Sequence, residues 1–77
     1  SNFQIYPNPS NNQICIELDK LSNFSQLTIT DFNGKIILSK KILKLKTMLD
    51  VSLLPQGVYL ITLDNTETIT HQKLIKY

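Results

Sequence analysis

Phe3-Gln4-Ile5-Tyr6 alternates apolar and polar positions, then stops at Pro7-Asn8-Pro9-Ser10-Asn11-Asn12. A period of two puts one set of side chains on one face of a strand. Two prolines and three asparagines in six residues make an extended turn with few backbone donors. The alternation restarts at Ile14, Ile16 and Leu18, with Cys15 and Glu17 between them, and predicts a second, half-buried strand. Asp19 to Asn23 reads as a loop, and Leu27 and Ile29 alternating with Thr28 and Thr30 predict a third strand. Asn33-Gly34 stands between that strand and Lys35-Ile36-Ile37-Leu38. An Asn-Gly pair between two strand-like runs marks a hairpin, because both residues tolerate positive φ.

Residues 35–49 support two readings. Leu38, Ile42, Leu45 and Leu49 have helical spacing, with Lys40, Lys41, Lys44 and Lys46 around them. That describes a basic amphipathic helix, suited to a membrane surface or a partner groove. The same stretch also reads as two strands, Lys35 to Ile42 and Lys44 to Asp50, meeting near Leu43. Leu53-Leu54-Pro55-Gln56-Gly57 is a turn, and the continuous apolar run Val58 to Leu63 predicts a central strand. Asp64-Asn65-Thr66 turns the chain again into a last strand, Thr68 to Lys76. There Ile69 and Ile75 share one face and Leu74 takes the other, which predicts a bulge near His71-Gln72. Seven short strands with frequent turns predict a small antiparallel β-sandwich, one domain over residues 1–77.

Composition favours the strand reading of 35–49. The chain has no Ala, and Ile (10), Thr (7) and Val (2) supply its β-branched residues. Ala is the best helix former, whereas branched side chains suit a pleated sheet. At 77 residues the core is thin, which argues against a self-contained enzyme with a deep pocket. All eight basic residues are Lys and the net charge is only +2. Arg is the usual fork for phosphates and guanine edges, so its absence argues against nucleic-acid binding. No apolar run approaches the roughly 20 residues of a membrane-spanning helix, and none at the start has the form of an export leader. Ser1-Asn2 reads equally as native chain or as a remnant of cloning.

Candidate chemistry is sparse. Cys15 is the single cysteine, so neither an internal disulfide nor a multi-cysteine zinc site is available. His71, the single histidine, can pair with Cys15 as base and nucleophile, but nothing marks a third, orienting group. The plainer reading is a strand histidine facing water and a small buried thiol. Asp64, Asn65 and Glu67 can hold a hard cation or simply shape a turn. Asp50 and Asp64 flank strands with no acid–base partner. Gly34 and Gly57 are isolated, so no phosphate loop is present. Asn23-Phe24-Ser25 matches a glycosylation triplet. The lysines of 40–46 either steer an acidic partner or keep a sheet edge from pairing. These readings predict no catalytic residue, metal or cofactor, and a protein that is not an enzyme.

Three patterns occur in order: Tyr6-Pro7-Asn8-Pro9, then Asp31-Phe32-Asn33-Gly34-Lys35, then Asp50-Val51-Ser52 through Leu54-Pro55-Gln56-Gly57-Val58-Tyr59-Leu60-Ile61, closed by Lys73-Leu74-Ile75-Lys76. Over residues 3–77 they resemble the C-terminal sorting domain of the type IX secretion system, found on exported proteins of Bacteroidetes-type bacteria. The resemblance implies an immunoglobulin-like sandwich cut from the end of a larger secreted protein. It implies a non-enzymatic address label, attached to an N-terminal cargo that passes through the periplasm to the cell surface or medium. The partners it implies are the outer-membrane translocon and the surface peptidase that removes the domain in many members of the family. By motif match, Pro55, Gly57, Tyr59, Lys73 and Lys76 are the recognition residues, and Pro7, Asn8 and Pro9 form the entrance beside the cargo. Lys73 and Lys76 stand out, because a solvated strand end has little packing reason to choose them. The last hairpin of the family usually carries Gly; here Asn65 is expected to supply the positive φ. The competing reading is an accessory carbohydrate-binding or adhesive module. That would want clustered exposed aromatics, and Phe3, Tyr6, Phe24, Phe32, Tyr59 and Tyr77 are scattered.

Overall fold

A computed structural model describes residues 3–7, 9, 12–20 and 25–77. Within them lie seven strands: β1 (Phe3–Tyr6), β2 (Gln13–Leu18), β3 (Ser25–Thr30), β4 (Ile36–Lys41), β5 (Lys46–Asp50), β6 (Gly57–Asn65) and β7 (Ile69–Lys76). No helix occurs among the described residues, so the stretch 35–49 resolves into two strands. Ile42 sits between them, buried in the core, and turns the chain from one sheet to the other.

All pairings are antiparallel, in a three-stranded sheet β1-β2-β5 and a four-stranded sheet β4-β3-β6-β7. In the constant-type immunoglobulin sandwich the fourth strand lies beside the fifth. Here β4 pairs with β3 instead, and the rest of the order is the same. β6 is central, flanked by β3 and β7, as its continuous apolar run predicts.

The core lies between the sheets. Phe3, Ile5, Ile14, Ile16, Leu18 and Leu49 meet Leu27, Ile29, Tyr59, Ile61, Leu63 and Leu74 in one cluster. Val51 closes it from the loop after β5. β4 adds only the partly buried Leu38, so it is the least anchored strand of its sheet.

Three sequence expectations need correction. β7 pairs with β6 in unbroken register from Gly57–Lys76 to Asp64–Ile69, with no bulge at His71-Gln72. The imperfect parity has another cause: the half-buried Gln72 donates its amide to the Phe3 carbonyl of β1, so a polar side chain is satisfied there. The register shift falls instead in the β3–β4 pair, at Ile29/Thr30.

The Asn33-Gly34 hairpin is present but needs positive φ only at Gly34 (φ 84°). Asp31 N–H donates to Lys35 O (2.9 Å) and Gly34 N–H to Asp31 O (3.0 Å), closing a three-residue loop. Asn65 likewise does not adopt positive φ, since no described residue but glycine does. Its side-chain oxygen instead accepts the Glu67 and Thr68 N–H groups, both at 2.8 Å.

Candidate recognition surface

Strand direction gathers the three sequence patterns at one end of the sandwich. β1, β3, β5 and β7 finish there, and β2, β4 and β6 begin there. Val51 N–H donates to Asn12 O (2.8 Å), tying the β5–β6 corner to the β1–β2 turn.

The β5–β6 corner is built by local hydrogen bonds. Asp50 Oδ1 accepts the Ser52 N–H at 2.9 Å, and Leu54 N–H donates to Val51 O at 3.0 Å. Hydrogen bonds from the Ser52 side chain, then its backbone, hold the Asp50 carboxyl below its ordinary value. Tyr59 is 6% exposed, and its hydroxyl donates to Pro55 O at 2.5 Å. A tyrosine at the start of this strand, bonded back to the preceding corner, is a recurrent clamp of immunoglobulin-like sandwiches. Gly57 has a φ of 157°, which side-chain-bearing residues rarely adopt, although no atom crowds the place of a Cβ.

The terminal lysines divide. Lys76 lies opposite Gly57 and is 6% exposed, with Nζ donating to Tyr77 O at 2.9 Å. The expectation that it sits at a solvated strand end is therefore corrected: it is packed inward. Lys73 is exposed, opposite Leu60, on the outer face of the four-stranded sheet. It borders a shallow groove of about 310 Å³ lined by Thr30, Asp31, Phe32, Gly34, Val58, Tyr59, Leu60 and Lys73. The groove joins the hairpin pattern, the corner-and-strand pattern and the terminal pattern. Phe32 is 90% exposed beside it. Sequence reasoning left Phe32 out of the site, although an aromatic at the tip of an Asn-Gly hairpin has no core to fill.

Pro7 and Pro9 are exposed after β1, and the Tyr6–Pro7 peptide is cis. Asn8 of the same pattern lies outside the described residues, as do Ser1-Asn2 and the Asn23-Phe24 part of the glycosylation triplet.

Cys15 and His71 do not meet. Cys15 pairs in register with Tyr6 and Met48 on the outer face of the three-stranded sheet. His71 pairs with Thr62 on the outer face of the other sheet, Nδ1 lying 2.9 Å from Thr62 Oγ1. Cys15 is a buried thiol beneath Tyr6. Hydrogen bonding to Cys15, then to Glu17, raises the Tyr6 hydroxyl above its ordinary value. Among the described residues no group of three or more His, Cys, Asp and Glu can hold a metal ion. Asp64, Asn65 and Glu67 form a turn, with the Asn65 oxygen engaged by backbone. No helix of the described residues is long and apolar enough to cross a membrane.

No curated protein matches the chain. A family model described as the secretion system C-terminal sorting domain matches residues 4–77. With the motifs converging on one end of an immunoglobulin-like sandwich, the chain belongs to the family of type IX secretion system C-terminal sorting domains.

Proposed function

We propose that this chain is the address label of an exported protein, read by the outer-membrane translocon of the type IX system after the attached cargo has reached the periplasm. Its single carrying observation is family membership over residues 4–77. The meeting of the hairpin, corner-and-strand and terminal patterns at one groove adds to it. In this reading Lys73 and Phe32 make contact, because both are exposed at the groove. Pro55, Gly57, Tyr59 and Lys76 shape the end that is read. Pro7, Asn8 and Pro9 stiffen the junction with the cargo, and a surface peptidase then separates cargo from domain. The cargo ends at the cell surface or in the medium.

The test is an export assay. Residues 1–77 are fused after a reporter carrying a periplasmic leader and expressed in a bacterium with an active type IX system and in a translocon-deficient strain. We expect reporter outside the cell only in the competent strain. Lys73→Glu should reduce export at least severalfold with the melting temperature unchanged. Reporter folded but held in the periplasm of both strains refutes the reading. Deleting Leu74–Tyr77 is a poor probe, since it removes the fully buried Leu74 and confuses recognition with folding.

A further inference from the structure

Five of the eight lysines lie between Asp31 and Asp50, and that stretch contains no Asp or Glu. It runs along β4, through the connection Ile42–Leu45, and into β5, the outer strands on one side of the sandwich. Lys40, Lys41, Lys44 and Lys46 are all exposed. Between them stand Leu43 and Leu45, 69% and 48% exposed.

These leucines are held outward by the fold. Ile42 is buried, and its N–H donates to Ser25 O at 2.8 Å. Leu45 O accepts the Leu18 N–H at 2.8 Å. The corner is thus pinned to the start of β3 and the end of β2, and its leucines have no core to enter.

We propose that this corner docks on an anionic phospholipid bilayer, with Leu43 and Leu45 entering the headgroup boundary and the four lysines over the phosphates. Apolar tips ringed by long amines match such a surface, because lysine stems lie along apolar material while the ammonium stays wet. The absence of arginine fits a diffuse sheet of charge better than a particular carboxylate or phosphate, which a guanidinium fork would grip. Among the described residues Glu17 lies opposite Lys46 and already accepts the Tyr6 hydroxyl at 2.7 Å, and the Leu18–Leu45 hydrogen bond brings Asp19 beside the same connection. The inference stands apart from the sorting reading, since binding to vesicles needs no translocon.

The experiment is vesicle flotation of residues 1–77 at low and physiological salt, with phosphatidylglycerol-containing and pure phosphatidylcholine vesicles. We expect binding to the anionic vesicles alone, weakening with salt. Each lysine near an anionic surface contributes roughly a fivefold factor, so Lys41→Gln with Lys44→Gln should weaken binding on the order of 20-fold. Leu43→Ser with Leu45→Ser should weaken it as well, with the melting temperature of either double variant within a few degrees of the parent. No binding to anionic vesicles at low salt overturns the proposal. So does equal binding to both vesicle types. Polyglutamate bound as tightly as the vesicles, and indifferent to the leucine variant, assigns the corner to an acidic polypeptide instead and overturns it too.

Discussion

Tyr59 carries its hydroxyl to the edge of the core, where Pro55 O receives it. Tyr59→Phe keeps the ring and loses that bond, a net cost of about 1 kcal/mol. Denaturant titration should show a lower midpoint with an unchanged slope. Asp50 acts through charge as well as shape. Its carboxyl is held below its ordinary value in the folded chain, so the ionised form favours folding. That contribution is present above the unfolded carboxylate's pKa of about 4 and is lost as pH falls through the lower folded value. Asp50→Ala should therefore melt lower than the parent at pH 7, and the gap should close in acid. A gap that stays constant down to pH 2 would show that ionisation of Asp50 is not the cause. Asp31, Asp50 and Asn65 all spend their side-chain oxygens on nearby backbone N–H groups. Read as isolated acids and amides they suggest chemistry, but their partners lie two to four residues away.

The strands differ in what they contribute. β6 sends Tyr59, Ile61 and Leu63 inward and is paired on both sides. β4 is paired on one side, and its Ile36 is 63% exposed. Ile61→Ala should cost about 2–5 kcal/mol, against a total of about 4–12 kcal/mol for a domain of this length. Ile36→Ala should cost less than about 0.5 kcal/mol. Thermal melts of the two variants check the contrast, and similar losses would mean that β4 packs as β6 does. Alternation located β1, β2 and β3, and a continuous apolar run located β6, because the side chains these strands send inward are chiefly apolar. β4 and β5 were ambiguous because edge strands with few buried positions leave only a weak period, and lysines fall wherever water reaches. The β7 parity misled because Gln72 is half-buried and satisfied by β1, a partner at the far end of the sequence. That contact is invisible to any local pattern.

At the scale of the molecule, class and sandwich were legible from period and turn chemistry, and the Asn33-Gly34 hairpin set β4 beside β3, whereas the crossing of β5 to the sheet of β2 was not legible. The groove was legible only in pieces, since Asp31-Phe32 and Val58-Tyr59-Leu60 come together through the β3–β6 pairing. The same pairing shapes the order of events in folding. Ser25 meets Asn65, Thr30 meets Leu60, and Gln13 meets Asp50, so most of the structure waits on loops that are slow to close. Leu74 and Gln72 come last of all, and without them the core lacks a wall and β1 lacks its tie to the other sheet. A chain interrupted before Ile69 cannot complete the fold. Anything that grips the closed sandwich, and not a linear stretch of it, therefore has nothing to hold until the strand through Lys76 is laid beside β6.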